Sequence, residues 1–92
     1  MMLENFDLTI ITPTSIQTEK ILWVEIESPT GSFIVGYNHS PLISLIKKQG
    51  SLTYHLAGSQ ESAQETSQEI SMIVSGGIFS VSKNKAIVLL DQ

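Results

Sequence analysis

The chain has 92 residues, a formal net charge of −4, 41% hydrophobic and 15% charged residues, and no cysteine. That length suits one domain, residues 1–92, and is too short for two. The apolar share excludes a disordered polyelectrolyte, and the five Lys and Arg residues exclude a basic surface for nucleic acid or for direct docking on an anionic membrane.

The start, Met1-Met2-Leu3-Glu4-Asn5, shows no basic region followed by an apolar run, so no leader is expected. Phe6, Leu8 and Ile10 alternate with Asp7 and Thr9, the two-residue period of a half-buried strand. Thr12-Pro13-Thr14-Ser15 predicts a turn, because proline fixes φ and lacks a donor. The pattern resumes from Ile21 to Glu27, with Leu22, Val24 and Ile26 on one face and Ile21, Trp23, Glu25 and Glu27 on the other. Ser28-Pro29-Thr30-Gly31 is the next turn, before a short strand over Ser32–Val35.

Ser40 to Gly50 reads locally as a helix, with Ser40 as cap, Pro41 at the first position and Gly50 as stop. The same residues also read as a strand, with Leu42, Ser44 and Ile46 opposite Ile43 and Leu45. Leu52, Tyr54 and Leu56 alternate with Thr53, His55 and Ala57. Gly58 to Glu69 has no large apolar residue and predicts a long, mobile hairpin loop. Ile70, Met72 and Val74 form another apolar face, and Gly76-Gly77 predicts a close backbone crossing or bulge. Ile78 to Val81 and Ala86 to Leu90 flank Lys83-Asn84-Lys85, a hairpin connection. The run Ala86 to Leu90 is too short to cross a bilayer; it should be covered on both faces, by a second sheet or by a partner. Short strands with turn signals between them predict an all-β antiparallel sandwich or barrel.

No catalytic constellation emerges. Of the two histidines, His55 lies on the polar face of its strand, and His39 sits in the turn-like run Tyr37-Asn38-His39-Ser40-Pro41. Glu61, Glu65 and Glu69 recur every four residues in a segment without an apolar face, which describes a solvated run rather than an acid–base pair. No local ligand pair predicts a metal, no cofactor is implied, and the chain is read as not an enzyme. Trp23 either lies under a neighbouring loop or anchors a partner.

Taken in order, the segments resemble the N-terminal domain of the ATP synthase epsilon subunit, called delta in mitochondria. Phe6 to Pro13 resembles the family's first strand and its "TP" turn. Gly31-Ser32-Phe33-Ile34-Val35 through Asn38-His39-Ser40-Pro41-Leu42 resembles "GEFGILPGHAPL", and Lys47-Lys48-Gln49-Gly50-Ser51-Leu52 resembles "LKPGxL". Ser75 to Val81 and Asn84 to Asp91 resemble "SGGFLEV…NNKVTILAD". The likeness covers essentially the whole chain. It implies a sandwich of two antiparallel sheets of about five strands each, with Leu42 to Lys47 extended rather than helical.

The resemblance also implies a role. The subunit would sit at the foot of the central stalk, a non-catalytic rotor part that grips the gamma subunit and rests on the c-subunit ring. It would touch the membrane only through that ring, on the cytoplasmic face of a bacterial inner membrane, and help couple ion flow to the catalytic head. The matching positions place Thr12, His39, Ser40, Pro41, Leu42 and Ser44 toward gamma, and Thr30, Gly31, Ser32 and Phe33 toward the ring. Ser32 stands where the family has an acidic residue, which removes a charge contact there. Asn38 replaces a glycine and tolerates the left-handed conformation that position requires. The family's C-terminal helical hairpin, which blocks rotation or senses ATP, is not expected in these residues. The alternative class is a free-standing module binding a small ligand such as a sugar, which needs a concave polar pocket.

Overall fold

Apolar residues at every second position give most of these segments one face for a core, and the polar, Gly- or Pro-containing stretches between them reverse the chain. The computed structural model describes residues 4–58 and 68–92, and among the described residues there is no helix. The strands are β1 (Phe6–Thr12), β2 (Ser15–Ser28), β3 (Gly31–Gly36), β4 (Leu42–Ile46), β5 (Gly50–Leu56), β6 (Gln68–Val74), β7 (Gly77–Ser82) and β8 (Lys85–Leu90). The hydrogen-bonded path runs β4-β7-β8-β1-β2-β5-β6, with β3 also paired to β2. All pairings are antiparallel except that of β1 with β8.

The long strand β2 makes one curled sheet into two layers. Its first half pairs with β1, from Thr12↔Ser15 to Phe6↔Ile21. Its second half pairs with β3 on one side and β5 on the other. The register with β5 shifts between Ile21 and Trp23, the signature of a bulge, which bends a strand and increases its twist. One layer is therefore β4, β7, β8, β1 and the start of β2; the other is β3, the rest of β2, β5 and β6. The predicted sandwich is present, and its layers share a strand.

The bulge corrects one detail of the sequence pattern. Ile21 does not share the face of Trp23 but is fully buried together with Val24 and Ile26. An extra residue at the bend lets both halves of β2 point inward. The segment Ser15–Lys20, which the hydrophobic pattern left unassigned, is the first half of β2. Its inward positions opposite Leu8 and Ile10 are Glu19 and Gln17, polar because this margin of the sandwich is open.

Between the layers lie Leu8, Phe79 and Val88 from one side, and Val24, Ile26, Val35, Leu52 and Tyr54 from the other. Each of these side chains, fully buried, contributes roughly 1.5–3 kcal/mol. Burial, and then the nearby Glu19 charge, push the Tyr54 phenol above its ordinary pKa. The locally helical pattern over Ser40–Gly50 loses to tertiary pairing. β4 lies along β7, Ile46 faces the core, and Lys47 lies just past the end of the strand. Of the expected loop Gly58–Glu69, Gln68 and Glu69 already belong to β6, and residues 59–67 lie outside the described residues.

The Gly76-Gly77 step is a close crossing, as predicted. A methyl group on Gly77 would collide with the Leu89 carbonyl oxygen, and Gly76 has φ +120°. Asn38 takes the left-handed conformation, φ 64°.

Candidate functional site

Alternation decides what the layers show to the outside. In β8 the inward residues are Ala86, Val88 and Leu90, and the outward ones include Ile87 and Leu89, both exposed. The second layer covers one side of this run, and nothing within the described residues covers the other. In β4 the outward pair is Ile43, 77% exposed, and Leu45, 61% exposed.

Register aligns these residues into rows. Leu45 faces Ile78, Ile78 faces Leu89, Leu89 faces Ile11, and Ile11 faces Ile16. One apolar row thus crosses five neighbouring strands, a length of about 19 Å at the usual strand spacing. The next row is mixed: Ile43, Ser80, Ile87, Thr9 and Thr18, with Thr9 and Thr18 hydroxyls 3.0 Å apart. The row beyond is polar, Ser82, Lys85, Asp7 and Lys20, with Lys20 paired to Asp7. The outer face therefore grades from apolar at one end to charged at the other.

The outer face of the second layer differs. Its rows are Ile34, Glu25, Thr53, Ser71 and Gly36, Trp23, His55, Glu69. Thr53 and Ser71 hydroxyls are 2.9 Å apart, and the Trp23 ring lies against His55 at 5.6 Å. Trp23 is half-buried there, against a side chain of the neighbouring strand rather than under a loop. Among the described residues of this face, large exposed apolar side chains occur at the margins, Ile34 and Ile73.

The residues implied by resemblance fall at two ends. His39 lies in the connection before β4, beside the β7–β8 turn, where the Asn38 amide donates to Asn84 Oδ1 at 2.7 Å. Its own N–H reaches the Gly36 carbonyl at 3.3 Å. His39 Nδ1 lies 2.8 Å from the Ser40 carbonyl oxygen, which only accepts, so Nδ1 carries the proton. Ser40 and Pro41 are exposed; Leu42 packs against the core; Ser44 Oγ donates to the Leu45 carbonyl at 3.0 Å. Thr12 lies at the opposite end of its sheet, level with the far end of β4, and closes its turn through Ser15 Oγ at 2.9 Å.

Near that far end lie Thr30, Gly31 and Ser32, all exposed. Ser28 Oγ donates to the Gly31 carbonyl at 2.8 Å and accepts the Thr30 amide at 3.3 Å, which shapes this turn. Phe33 points inward and meets Phe79 edge-on at 6.1 Å. At the same end, Glu27 Oε1 accepts the Ser51 amide at 3.0 Å and Oε2 pairs with Lys47 at 3.5 Å. The Ser51 amide, and then the Lys47 charge, hold the Glu27 carboxyl below its usual range. Among the described residues no group of three His, Asp or Glu could hold a metal ion.

The residues that the motif reading did not single out as a site are those of the apolar row: Ile11, Ile16, Leu45, Ile78 and Leu89. The uninterrupted run in β8 was their one signal; the rest needed the register.

The described residues define a two-layered β-sandwich domain with one outer face that carries an apolar row. Residues 5–92 match the family described as ATP synthase, Delta/Epsilon chain, beta-sandwich domain, and the chain belongs to that family. The family is that of a non-catalytic ATP synthase stalk subunit. Among solved structures it is similar to a chain of the Euglena gracilis mitochondrial ATP synthase (OSCP, F1 and c-ring), at 14% identity and TM-score 0.76, covering 96% of this chain and 51% of that one. It is also similar to a chain of the Tetrahymena thermophila mitochondrial ATP synthase central stalk and c-ring, at 9% identity and TM-score 0.74, covering 100% of this chain and 67% of that one. The chain thus spans about half the length of the first and two thirds of the second. No curated protein matches it.

Proposed function

We propose that this domain is a rotor adaptor in the central stalk of an F-type ATP synthase, linking the c-subunit ring to the gamma shaft and, through it, to the catalytic head. The observation that carries this reading is the apolar row Leu45–Ile78–Leu89–Ile11–Ile16 on the outside of the first layer. Exposed apolar surface of that extent marks an interaction site, and a part that must turn without slipping needs an interface larger than roughly 1,200 Å². The shaft takes the apolar face, together with Ile43 and the exposed Ser40-Pro41 connection beside it. The ring takes the polar end built by Thr30, Gly31 and Ser32. Family membership supports the stalk role.

In this reading ion flow turns the ring, the sandwich turns with it, and the membrane is reached only through the ring. In a bacterial cell that places the domain on the cytoplasmic face of the inner membrane. The role rests on the sandwich itself. Titration of the purified domain with the gamma subunit tests it. The expected result is a saturable complex that Leu89→Asp weakens by roughly 100-fold while the fold persists; an unaltered affinity in that variant sinks the assignment of the face.

A further inference from the structure

The apolar row does not stop at the edge of the sheet. Leu45 and Ile78 also line a cleft of about 460 Å³, completed by Pro29, Lys47, Lys48 and Gly76. The cleft is fixed on several sides. A Cβ on Gly76 would sit 3.3 Å from Lys48 Cγ, so backbone and lysine stem already touch there. The Lys47 amide donates to the Glu27 carbonyl at 2.9 Å, while the Glu27 carboxylate holds both Lys47 Nζ and the Ser51 amide. Asp91, on the rim, donates its amide to the Gly76 carbonyl at 3.2 Å. Lys48 is exposed and makes no ion pair among the described residues.

We propose that this cleft receives one large apolar side chain, flanked by a carboxylate, from the same shaft subunit that covers the apolar row. The inference rests on the adaptor reading and extends its interface around a corner of the sandwich. Two of the cleft's walls are themselves residues of the row, whereas none of Thr30, Gly31, Ser32 or Phe33 lines it. A shaft laid along the row therefore reaches the cleft without a gap. Because the walls are held by backbone hydrogen bonds and glycine contacts, filling the cleft costs little ordering. Large side chains seated in preformed pockets are the usual anchors of an interface. Lys48 gives the flanking carboxylate its counter-charge.

The absence of cysteine makes the test clean. Lys48→Cys is modified in one sample with pyrene maleimide, which fills the cleft, and in another with 2-aminoethyl methanethiosulfonate, which adds little bulk and restores a lysine-like charge. Each is titrated against the purified gamma subunit beside Leu89→Asp, a residue of the row that does not line the cleft, and thermal melts confirm that all are folded. The bulky adduct should weaken binding about tenfold or more, with the small adduct close to the parent. If the bulky adduct binds gamma like the parent while Leu89→Asp binds poorly, the cleft inference fails and the adaptor reading stands. If the bulky adduct spares gamma and weakens retention on the c ring, the cleft belongs to the ring and the inference is overturned. If neither variant alters gamma binding, the adaptor reading fails with it.

Discussion

The two outer faces of the sandwich obey the same alternation and end up unlike. On the β4-β7-β8-β1 side, outward positions are occupied by Leu45, Ile78, Leu89 and Ile11 in one row. On the β2-β5-β6 side, the comparable rows hold Glu25, Thr53 and Ser71, or Trp23, His55 and Glu69, with the Thr53 and Ser71 hydroxyls paired and the Trp23 ring against His55. Alternation accounts for the shared interior of both layers. It does not account for strands that are apolar on both faces, and β4 and β8 are of that kind. Inside-facing residues identify the core, while a row of outside-facing apolar ones is what the proposed docking rests on.

That contrast can be broken at its base. Gly77→Ala places a methyl against the Leu89 carbonyl, forcing β7 away from β8, and should lower stability by on the order of 3 kcal/mol in urea unfolding. It should also disturb the apolar row more than any side-chain change within it. Leu89→Asp, exposed and outside the core, should leave the unfolding midpoint nearly unchanged yet weaken gamma binding by roughly 100-fold in calorimetry. The matched change on the other face, Ser71→Asp, should leave gamma affinity within about twofold of the parent; an equal loss from both faces would erase the distinction.

The smallest effect concerns pH. The Glu27 carboxyl has a folded-state pKa below its usual value, so its contribution is present above the ordinary carboxylate range and is lost as pH falls through the lowered value. Amide exchange at Ser51 should therefore quicken on acidification across that window, after correction for intrinsic rates, and Glu27→Gln should flatten the change.

Much of the fold was legible in the residues. Phe6-Leu8-Ile10, Leu52-Tyr54 and Ile70-Met72-Val74 alternate plainly, and each became a strand in the expected place. Ser15–Lys20 was not legible, because Gln17 and Glu19 face inward at an open margin where no apolar residue is needed. Nor was the inward turn of Ile21, since a bulge resets a two-residue period without leaving a Gly or Pro to announce it. The family was legible through motifs, but the motif positions Leu42 and Ser44 alternate with the exposed Ile43 and Leu45, and the motif gives no reason to prefer the latter. The row itself joins residues as far apart in the chain as Ile11 and Leu89. Only strand order brings them together.

The bent strand β2 has a mechanical meaning as well. Because a single run of backbone serves both layers, a sideways load on the apolar outer face is passed to the opposite layer through covalent bonds as well as hydrogen-bond ladders. Two separate sheets held by side-chain packing alone could shear past each other under twist. Here such sliding would have to stretch or unzip one peptide strand, so the domain answers torque as a single stiff block.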